Sequence, residues 1–234
     1  IYEMYQSGAV GFYDFKNPVN NPNLLKIALQ YVQSFDGLVF SFPFEKSICP
    51  EGQMHEGEVI TNYGLKGIPA MSEEIMLKRD LKLLEYTGGK LHIPCISTKE
   101  SVESIKEAKK NKMNVTCSVS INNLFFNDEK LKNFDTRFKV LPPIRSEDHR
   151  KALIKGVNDG TIDFVTSDHS PIDIDNKKTD FVNSLFGSTG LESLFGALNS
   201  LFSTEKSIEI LTKNKSVFGI NKNKIDEGEI CLLY

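Results

Sequence analysis

Residues 146–171 read SEDHRKALIKGVNDGTIDFVTSDHSP, and this stretch decides the predicted fold. Its first part has apolar residues at helical spacing and leads to Gly160, a residue typical of helix C-termini. Residues 163–167 form a short apolar run that indicates a buried strand. Asp168 and His169 follow directly, and polar groups at the end of a buried strand need partners. The stretch therefore predicts a helix, a strand and a polar site in succession.

The same alternation of β-type runs and helical patterns continues along the rest of the chain. The β-type runs are residues 9–12, 38–42, 91–97, 114–120 and 163–167. The helical patterns are residues 23–33, 72–86, 97–111 and 146–160. We expect helices to begin near Ser72, which is the expected N-cap of its helix, and near Thr98 and Ser146. Strands that alternate with helices of this length indicate βαβ units and a parallel sheet in one α/β unit.

Both a doubly wound sheet and a (β/α)₈ barrel satisfy this pattern. A doubly wound nucleotide-binding fold usually has a glycine-rich phosphate loop after its first strand, and the sequence has none. Polar residues lie instead just past the strand ends, where a barrel has its active-site face. They are Asp14, Glu45, Ser97, Asn122 and Asp168. The sequence therefore favours the TIM-type barrel.

Charge and cysteine content narrow the class of protein. The 28 basic and 31 acidic residues give a net charge of −3, which provides no electrostatic basis for binding nucleic acid or a membrane surface. The four cysteines, Cys49, Cys95, Cys117 and Cys231, include no CxxC pair, so we expect reduced thiols and a cytoplasmic location. The opening at Ile1 is typical of the middle of a domain, and we expect an N-terminal portion to be absent.

Several long stretches resemble the dihydroorotases, cyclic-amide hydrolases of the metal-dependent amidohydrolase superfamily. They are YQSGAVGFYDF (5–15), EGEVITNYGLKGIPAMSEEIMLKRDLKLLEYTGGKLHI (56–93), FDTRFKVLPPIR (134–145) with the opening stretch, GLESLFGALNSLF (190–202) and LTKNKSVFGINKNKIDEGE (211–229). The resemblance implies that residues 1–219 supply strands four to eight of a (β/α)₈ barrel. Residues 220–234 would begin the flanking small β-sandwich. The HxH metal motif of the family's first strand is not found in the sequence.

The resemblance also implies roles for individual residues. Asp168 matches the family's metal-bound general base, and Asp14 matches one of a pair of metal-site aspartates, the other being Phe15. Phe42, in FPFEKSI, stands where the family has a metal-binding histidine. Cys95, in CISTK, stands at a second histidine position and is a weak zinc ligand. We expect Asp14, Phe42, Cys95 and Asp168 to converge at the strand ends.

The other histidines are poor substitutes for these ligands. His92 lies on the strand that leads to Cys95, and strict alternation points its side chain the opposite way. His55 and His149 lie in polar stretches, and we expect them to be solvated. We also expect residues 144–151 to form a charged, solvated helix start.

The positions that match substrate contacts of the family have also changed. Leu141 replaces an asparagine before the Pro-Pro pair, and Ile172 replaces a histidine that would hold the substrate carboxylate. Asn122 and Asn123 replace histidines after another strand. We take Leu141, Ile172 and Asn122 as pocket positions whose ligand is unknown. With so many ligands changed, we expect Asp168 and His169 to be held by hydrogen bonds.

Three hypotheses for function follow. The favoured one is a dihydroorotase-like protein of pyrimidine-biosynthesis type that is catalytically impaired and keeps a structural or regulatory role. The second is an active cyclic amidohydrolase with a reduced metal site, and the third is a binding module for a small apolar ring. The resemblance implies zinc as cofactor, which we expect to be absent or weakly bound. It also implies a homo-oligomer, or a complex with a related amidohydrolase or a carbamoyltransferase.

Overall fold

The computed structural model describes residues 1–61 and 64–219. The expected start of a β-sandwich at residues 220–234 lies outside the described residues, so the predicted domain division stays a prediction. Within the described ranges, no helix is both long enough and apolar enough to cross a membrane.

The main sheet consists of parallel strands in chain order. Its four strands are β1 (Val39–Phe40), β4 (Leu91–Ile93), β5 (Val115–Ser120) and β6 (Phe164–Thr166). Each pairs with the next in parallel, and Phe12 adds a parallel bridge to Val39 at the β1 edge. All five predicted β-type runs are therefore neighbours in the predicted order and direction.

Helices follow the strands along the chain. They are α1 (Tyr2–Gln6), α2 (Pro22–Tyr31), α3 (Glu58–Thr61), α4 (Ala70–Thr87), α5 (Lys99–Lys110), α6 (Ile121–Phe125), α7 (Glu147–Asn158), α8 (Ile174–Lys177), α9 (Leu194–Leu201) and α10 (Thr204–Thr212). Short 3₁₀ helices cover Val32–Phe35, Lys46–Ile48, Asp128–Asn133, Thr136–Phe138 and Lys215–Phe218.

The predicted helix starts are correct for α5 and α7 and wrong in detail for α4. Thr98 caps α5 by accepting a hydrogen bond from the Ser101 N–H, and α7 begins directly after Ser146. Helix α4 begins after Pro69, and the Ser72 hydroxyl donates to the Pro69 carbonyl. Ser72 is therefore not the N-cap, because the fixed geometry of Pro69 already starts the helix before it.

The two faces of the sheet have different partners. Outward strand residues such as Leu91, Ile93 and Val119 are fully buried in a core with residues of α2, α4, α5 and α7. Alternate residues, among them Phe40 and His92, line a cavity on the other face. Helices thus cover the outside of the sheet while its inner face encloses a space, as expected for part of a barrel.

A second, smaller sheet pairs β2 (Met54–His55) with β3 (Gly67–Ile68) in parallel. A separate apolar cluster lies beneath it, with Met54, Ile60, Leu131, Val140 and Ile144 among its buried residues. This sheet was not predicted from the sequence, because strands of two residues are too short to show a hydrophobic period.

A buried carboxylate joins α4 to the start of α5. Glu73 accepts hydrogen bonds from the backbone N–H groups of Ser97 (2.8 Å) and Thr98 (3.1 Å). It also accepts from the hydroxyls of Ser97, Thr98 and Ser101, which makes five hydrogen bonds. The unpaired N–H groups and the dipole of a helix N-terminus favour a negative charge at this position. We call these four residues, together with Arg145, the Glu73 network.

Arg145 completes this network from the loop before α7. Its side chain is 2% exposed and donates to the Ile68 carbonyl (2.6 Å) and to the Ser97 hydroxyl (3.1 Å). Its guanidinium lies 4.0 Å from the Glu73 carboxylate. The predicted solvated start of residues 144–151 is therefore wrong at Arg145, because partners far away in the sequence surround it.

The two histidines expected to be solvated are buried. His55 Nδ1 lies 3.2 Å from Arg145 Nη1, and His149 Nδ1 accepts a hydrogen bond from the Lys99 N–H at 3.0 Å. Their rings meet edge to face at 5.5 Å. Burial, with the neighbouring Arg145 charge, lowers the pKa of His55 to about 3, so this imidazole is neutral at pH 7.

Candidate functional site

The inner face of the sheet opens into what we call the strand-end cavity, with a volume of about 370 Å³. Side chains of the strands and of the segments after them line it, among them Phe40, His92, Cys95, Ser118, Phe164 and Asp168. Cys95 and Asp168 follow the carboxyl ends of β4 and β6. The cavity therefore lies where a (β/α)₈ barrel carries its active site.

The backbone turns sharply at both of these strand ends. Cys95 has φ = 54° and Asp168 has φ = 47°, left-handed values that are uncommon for residues other than glycine. His92 and Cys95 consequently line the same cavity, although strict alternation predicted opposite directions. That prediction was wrong because β4 ends at Ile93 and the alternation ends with it.

The carboxylate of Asp168 binds the ammonium of Lys16. Lys16 Nζ lies 2.8 Å from each carboxylate oxygen and 2.5 Å from the Leu141 carbonyl oxygen. The two side chains are only 15% and 8% exposed. Burial raises the pKa of Asp168, while the Lys16 charge opposes that shift. Lys16 was not predicted as a site residue, although it directly follows the Asp14–Phe15 pair in the sequence.

His169 is also held by hydrogen bonds. Its Nδ1 accepts from the backbone N–H groups of Gly190 at 3.3 Å and Leu191 at 3.4 Å. Together with the Lys16 bond to Asp168, these contacts confirm the expectation that hydrogen bonds hold Asp168 and His169.

The two other groups with metal-ligand chemistry in the cavity are in their uncharged forms. Burial raises the pKa of Cys95 to about 12, with the Asp168 charge contributing, so the thiol stays protonated at pH 7. Burial lowers the pKa of His92 to about 3. Its Nδ1 lies 2.8 Å from the Thr116 hydroxyl and its Nε2 lies 3.2 Å from the Ser118 hydroxyl. Both imidazole nitrogens therefore already have partners.

Two of the four positions expected to converge lie elsewhere. Asp14 is exposed and does not line the cavity. Phe42 is 2% exposed, packs with its ring centroid 6.2 Å from that of Phe44, and does not line the cavity either. The structure thus brings together Cys95 and Asp168. The metal-binding roles assigned to Asp14, Asp168 and Cys95 stay predictions.

The three expected pocket positions divide between two places. Leu141 contributes its carbonyl oxygen to Lys16. Asn122 and Ile172 line a second cavity, where the Asn122 amide donates to the Ser188 hydroxyl at 3.0 Å. They do not belong to the strand-end cavity.

A zinc ion does not fit the donors that these residues offer. Zinc sites in proteins use three or four thiolate, imidazole or carboxylate ligands. Among the described residues, no group of three or more His, Cys, Asp or Glu side chains is placed to hold a metal. Both oxygens of Asp168 already contact an ammonium.

Comparison with known sequences gives a consistent result. The dihydro-orotase-like family matches residues 4–101. The chain is 39% identical over 198 residues to a dihydroorotase of Thermoanaerobacter sp. (strain X514), covering 85% of this chain and 46% of that protein. It is 37% identical over 233 residues to a dihydroorotase of Pelotomaculum thermopropionicum, covering 97% and 55%. The chain spans about half the length of the curated relatives that it matches.

Solved structures with low sequence identity share the fold. An L-hydantoinase (dihydropyrimidinase) from Arthrobacter aurescens matches with a TM-score of 0.81 and 23% identity, covering 95% of this chain and 54% of that one. A dihydroorotase from Saccharomyces cerevisiae, solved in complex with 5-fluoroorotic acid, matches with a TM-score of 0.71 and 16% identity, covering 94% and 63%. Both are TIM-barrel amidohydrolases, so the predicted barrel fold is confirmed.

Proposed function

Because the chain belongs to the dihydroorotase-like family, we propose that it forms the barrel scaffold of a dihydroorotase-like protein that has lost metal-dependent hydrolysis. The protein would serve pyrimidine biosynthesis in a structural or regulatory role. One observation carries the proposal, the contact of the Lys16 ammonium with both oxygens of Asp168.

This contact conflicts with the chemistry of the reaction. Hydrolysis of a cyclic amide near neutral pH requires a metal-activated hydroxide and a carboxylate that transfers a proton to the leaving nitrogen. Asp168 matches the family residue that binds the metal and transfers the proton, yet both of its carboxylate oxygens contact an ammonium. A divalent cation bound there would be repelled by Lys16 in a poorly solvated site, where like charges interact strongly. The ion pair therefore supports loss of the metal.

Neighbouring positions support the same proposal. A phenyl ring, Phe42, stands where the family carries a histidine, and this ring is buried away from the cavity. Cys95 stands at a second histidine position with a protonated thiol. Phe42 offers no lone pair to a metal, and Cys95 replaces an imidazole nitrogen with a sulfur that must lose its proton before it can bind one.

An exposed apolar stripe supports a role in assembly. On α2, Leu24, Ile27 and Tyr31 are 58%, 50% and 50% exposed, and their spacing places them on one side of the helix. Contiguous exposed apolar surface is typical of protein–protein contacts. We propose that this stripe contributes to a homo-oligomer, or to a complex with a related amidohydrolase or a carbamoyltransferase.

The test is a joint measurement of metal content and turnover on the full-length protein. After incubation with zinc and dialysis, elemental analysis should find no retained zinc, and dihydroorotate should not be hydrolysed above the uncatalysed rate. The Thermoanaerobacter dihydroorotase serves as the positive control. Zinc-dependent turnover that disappears in Asp168→Asn would contradict the proposal and establish an active hydrolase with a reduced metal site.

A second candidate function is binding of a small neutral ring in the strand-end cavity. Five Tyr and Phe side chains line this cavity: Tyr13, Phe15, Phe40, Phe164 and Phe218. Planar rings stack favourably on such side chains. Calorimetric titration with uracil should give saturable binding that weakens in Phe164→Ala, and absence of binding to the folded protein would exclude this candidate.

A further inference from the structure

Lys16 brings a primary amine into the strand-end cavity. Among the described residues that line this cavity, no other carries one. The Lys16 side chain is 15% exposed, whereas that of Lys82 on α4 is 79% exposed. A lysine amine is a nucleophile toward carbonyl carbons, and enclosure in an apolar pocket is one way in which proteins activate it. Lys16 therefore has the position of a reactive lysine.

A strained turn brings Lys16 to this position. The Asn17 N–H donates to the Asp14 carbonyl at 3.0 Å and closes a turn with Phe15 and Lys16 at its centre. Phe15 has φ = 46°, and a left-handed value at a bulky residue is a genuine outlier. Such outliers cluster at active sites and ligand clamps, where the surrounding structure holds them. Here the turn leaves Asp14 exposed and puts Lys16 into the cavity wall.

Two oxygen partners hold the Lys16 nitrogen. Its Nζ donates to the Leu141 carbonyl at 2.5 Å and to the Asp168 carboxylate at 2.8 Å. The Leu141 carbonyl accepts a hydrogen bond from an ammonium or from an amine, so it fixes the nitrogen in either form. The Asp168 carboxylate lies within reach of a proton on Nζ, as a general base must. Lys16 and Asp168 therefore have the geometry of a nucleophile and its base.

The walls of the strand-end cavity suit a neutral aromatic ring. The Phe164 and Phe218 ring centroids are 5.0 Å apart, and those of Phe40 and Phe218 are 6.2 Å apart. Rings at these separations offer faces and edges to a further planar group. Lys16 is the only lysine or arginine among the described lining residues, and Asp168 pairs with it. This cavity therefore has no lysine or arginine left for a ligand carboxylate.

Two other nucleophilic side chains in the cavity are less suited to attack a carbonyl carbon. The high pKa of the Cys95 thiol, about 12, keeps it protonated, and the thiolate is the reactive form. Both ring nitrogens of His92 already contact hydroxyl groups, those of Thr116 and Ser118. Lys16 is thus the better nucleophile for a carbonyl compound in this space.

We propose that Lys16 is the nucleophile of a Schiff-base site for neutral aromatic aldehydes. The ring would lie among Phe40, Phe164 and Phe218, with the carbonyl carbon facing Lys16 Nζ. Condensation at Lys16 goes beyond the proposed function, because it requires neither a metal nor a partner protein and cleaves no amide. It shares a cavity with the ring-binding candidate, but uracil has no aldehyde group, so the two tests are independent.

The condensation balances in atoms and charge. The Lys16 ammonium passes a proton to Asp168, and the nitrogen lone pair forms a bond to the carbonyl carbon. The carbonyl π pair moves to the oxygen, which takes up a proton released by the nitrogen. Asp168 then gives its proton to this hydroxyl, the carbon–oxygen bond breaks, and water leaves as the carbon–nitrogen double bond forms. The resulting iminium carries the charge of the former ammonium and stays paired with Asp168.

Reductive trapping tests the proposal on the full-length protein without added zinc. Cyanoborohydride converts a Schiff base of benzaldehyde into a stable benzylamine, and peptide mass spectrometry follows its formation at each lysine. Lys82 is the matched control, because it is paired with Glu85 at 2.6 Å outside the cavity. We expect Lys16 to react at least about tenfold faster than Lys82, since positioned acid–base groups contribute about 100-fold or more. Equal rates, or a slower rate at Lys16, would overturn the proposal.

A second aldehyde tests the role of the ring. Acetaldehyde carries the carbonyl group without an aromatic ring. The preference for Lys16 over Lys82 should be about two- to tenfold smaller with acetaldehyde than with benzaldehyde, because ring–ring contacts contribute only to the latter. An equal preference for both aldehydes would overturn the assignment to aromatic compounds.

Variants assign the reaction to the two residues. The fast phase of benzyl incorporation should disappear in Lys16→Arg, which keeps a cation beside Asp168, and should persist in Lys82→Arg. Asp168→Asn should slow the reaction of Lys16 at least about tenfold, because the proton acceptor is lost. An unchanged fast phase in folded Lys16→Arg would overturn the proposal, and an unchanged Lys16 rate in Asp168→Asn would overturn the role of Asp168. If a variant does not fold, the rates at Lys16 and Lys82 in the unmodified protein still decide.

Discussion

Glu73 and Asp168 are two buried carboxylates near the strand ends, and their surroundings differ. Glu73 accepts five hydrogen bonds from the start of α5 and lies 4.0 Å from the buried Arg145 guanidinium. Asp168 binds one ammonium at the edge of a cavity. A carboxylate enclosed by donors joins several elements of the fold, whereas the Asp168 carboxylate beside open space depends on one cationic partner, Lys16.

The two carboxylates also join different parts of the fold. The Glu73 network joins α4, α5 and the loop before α7, so the barrel wall depends on it. The Lys16–Asp168 pair joins two strand ends across the mouth. The consequences of breaking each region should therefore differ in size and in pH dependence.

The largest effect should come from Glu73→Ala. This change leaves five donors without their acceptor and Arg145 as a buried charge without its carboxylate, and it should lower the free energy of unfolding by about 3–5 kcal/mol. Glu74→Ala is the matched control, because Glu74 makes an exposed i,i+4 pair with Lys78, and it should cost less than about 1 kcal/mol. Urea denaturation measures both, and equal losses would refute the importance of the network.

Phe42→His should have the next largest effect. It should lower the free energy of unfolding by about 3 kcal/mol, the low end of the range for loss of a buried aromatic ring. A strand-end residue that faced an open mouth would accept this change, but Phe42 is fully buried. In the double variant Phe42→His/Cys95→His, zinc should not raise the melting temperature, because Phe42 does not line the strand-end cavity. A zinc-dependent rise would show that the two positions do meet.

Lys16→Met should lower the free energy of unfolding by about 1–3 kcal/mol at pH 7, because it leaves the Asp168 carboxylate buried without a partner. Adding Asp168→Asn should recover part of this loss. Burial raises the folded-state pKa of Asp168 above its ordinary value of 3.8, so its contribution to stability is complete below that value and falls as the pH rises. The deficit of Lys16→Met should therefore vanish below about pH 4, as followed by denaturation across pH. A pH-independent deficit would mean that the ion pair is not its cause.

The smallest effect on stability should come from two neutral histidines, His55 beside Arg145 of the Glu73 network and His92 in the strand-end cavity. Burial lowers both pKa values to about 3, so the unfolded chain binds protons that the folded protein does not, and stability falls as the pH drops below about 6.5. Each histidine should lower the free energy of unfolding by about 1 kcal/mol as the pH falls from 6.5 to 5.5. His55→Gln and His92→Gln should each flatten this slope, and a slope equal to that of the unmodified protein would place the titration elsewhere.

The sequence was sufficient for the barrel because its signals are local. Five apolar runs separated by helical patterns have one consistent arrangement, and Thr98 and Ser146 precede their helices as polar residues commonly do. The sheet of β2 and β3 escaped prediction, since two-residue strands depend on their surroundings.

The site was less predictable because it depends on distant residues. Lys16 and Asp168 are 152 positions apart, and no local pattern connects them. Arg145 and His149 lie in a polar stretch whose burial depends on contacts with β3 and the start of α5. His92 and Cys95 share a cavity because of a backbone dihedral that the residue type Cys does not indicate.

The left-handed backbone at Cys95 and Asp168 has an evolutionary consequence. Such conformations cost about 1–2 kcal/mol each for residues with a β-carbon, and here they aim two side chains over one space. The direction of the side chains at Cys95 and Asp168 is thus set by the main chain, and a different side chain at either position would face the same space.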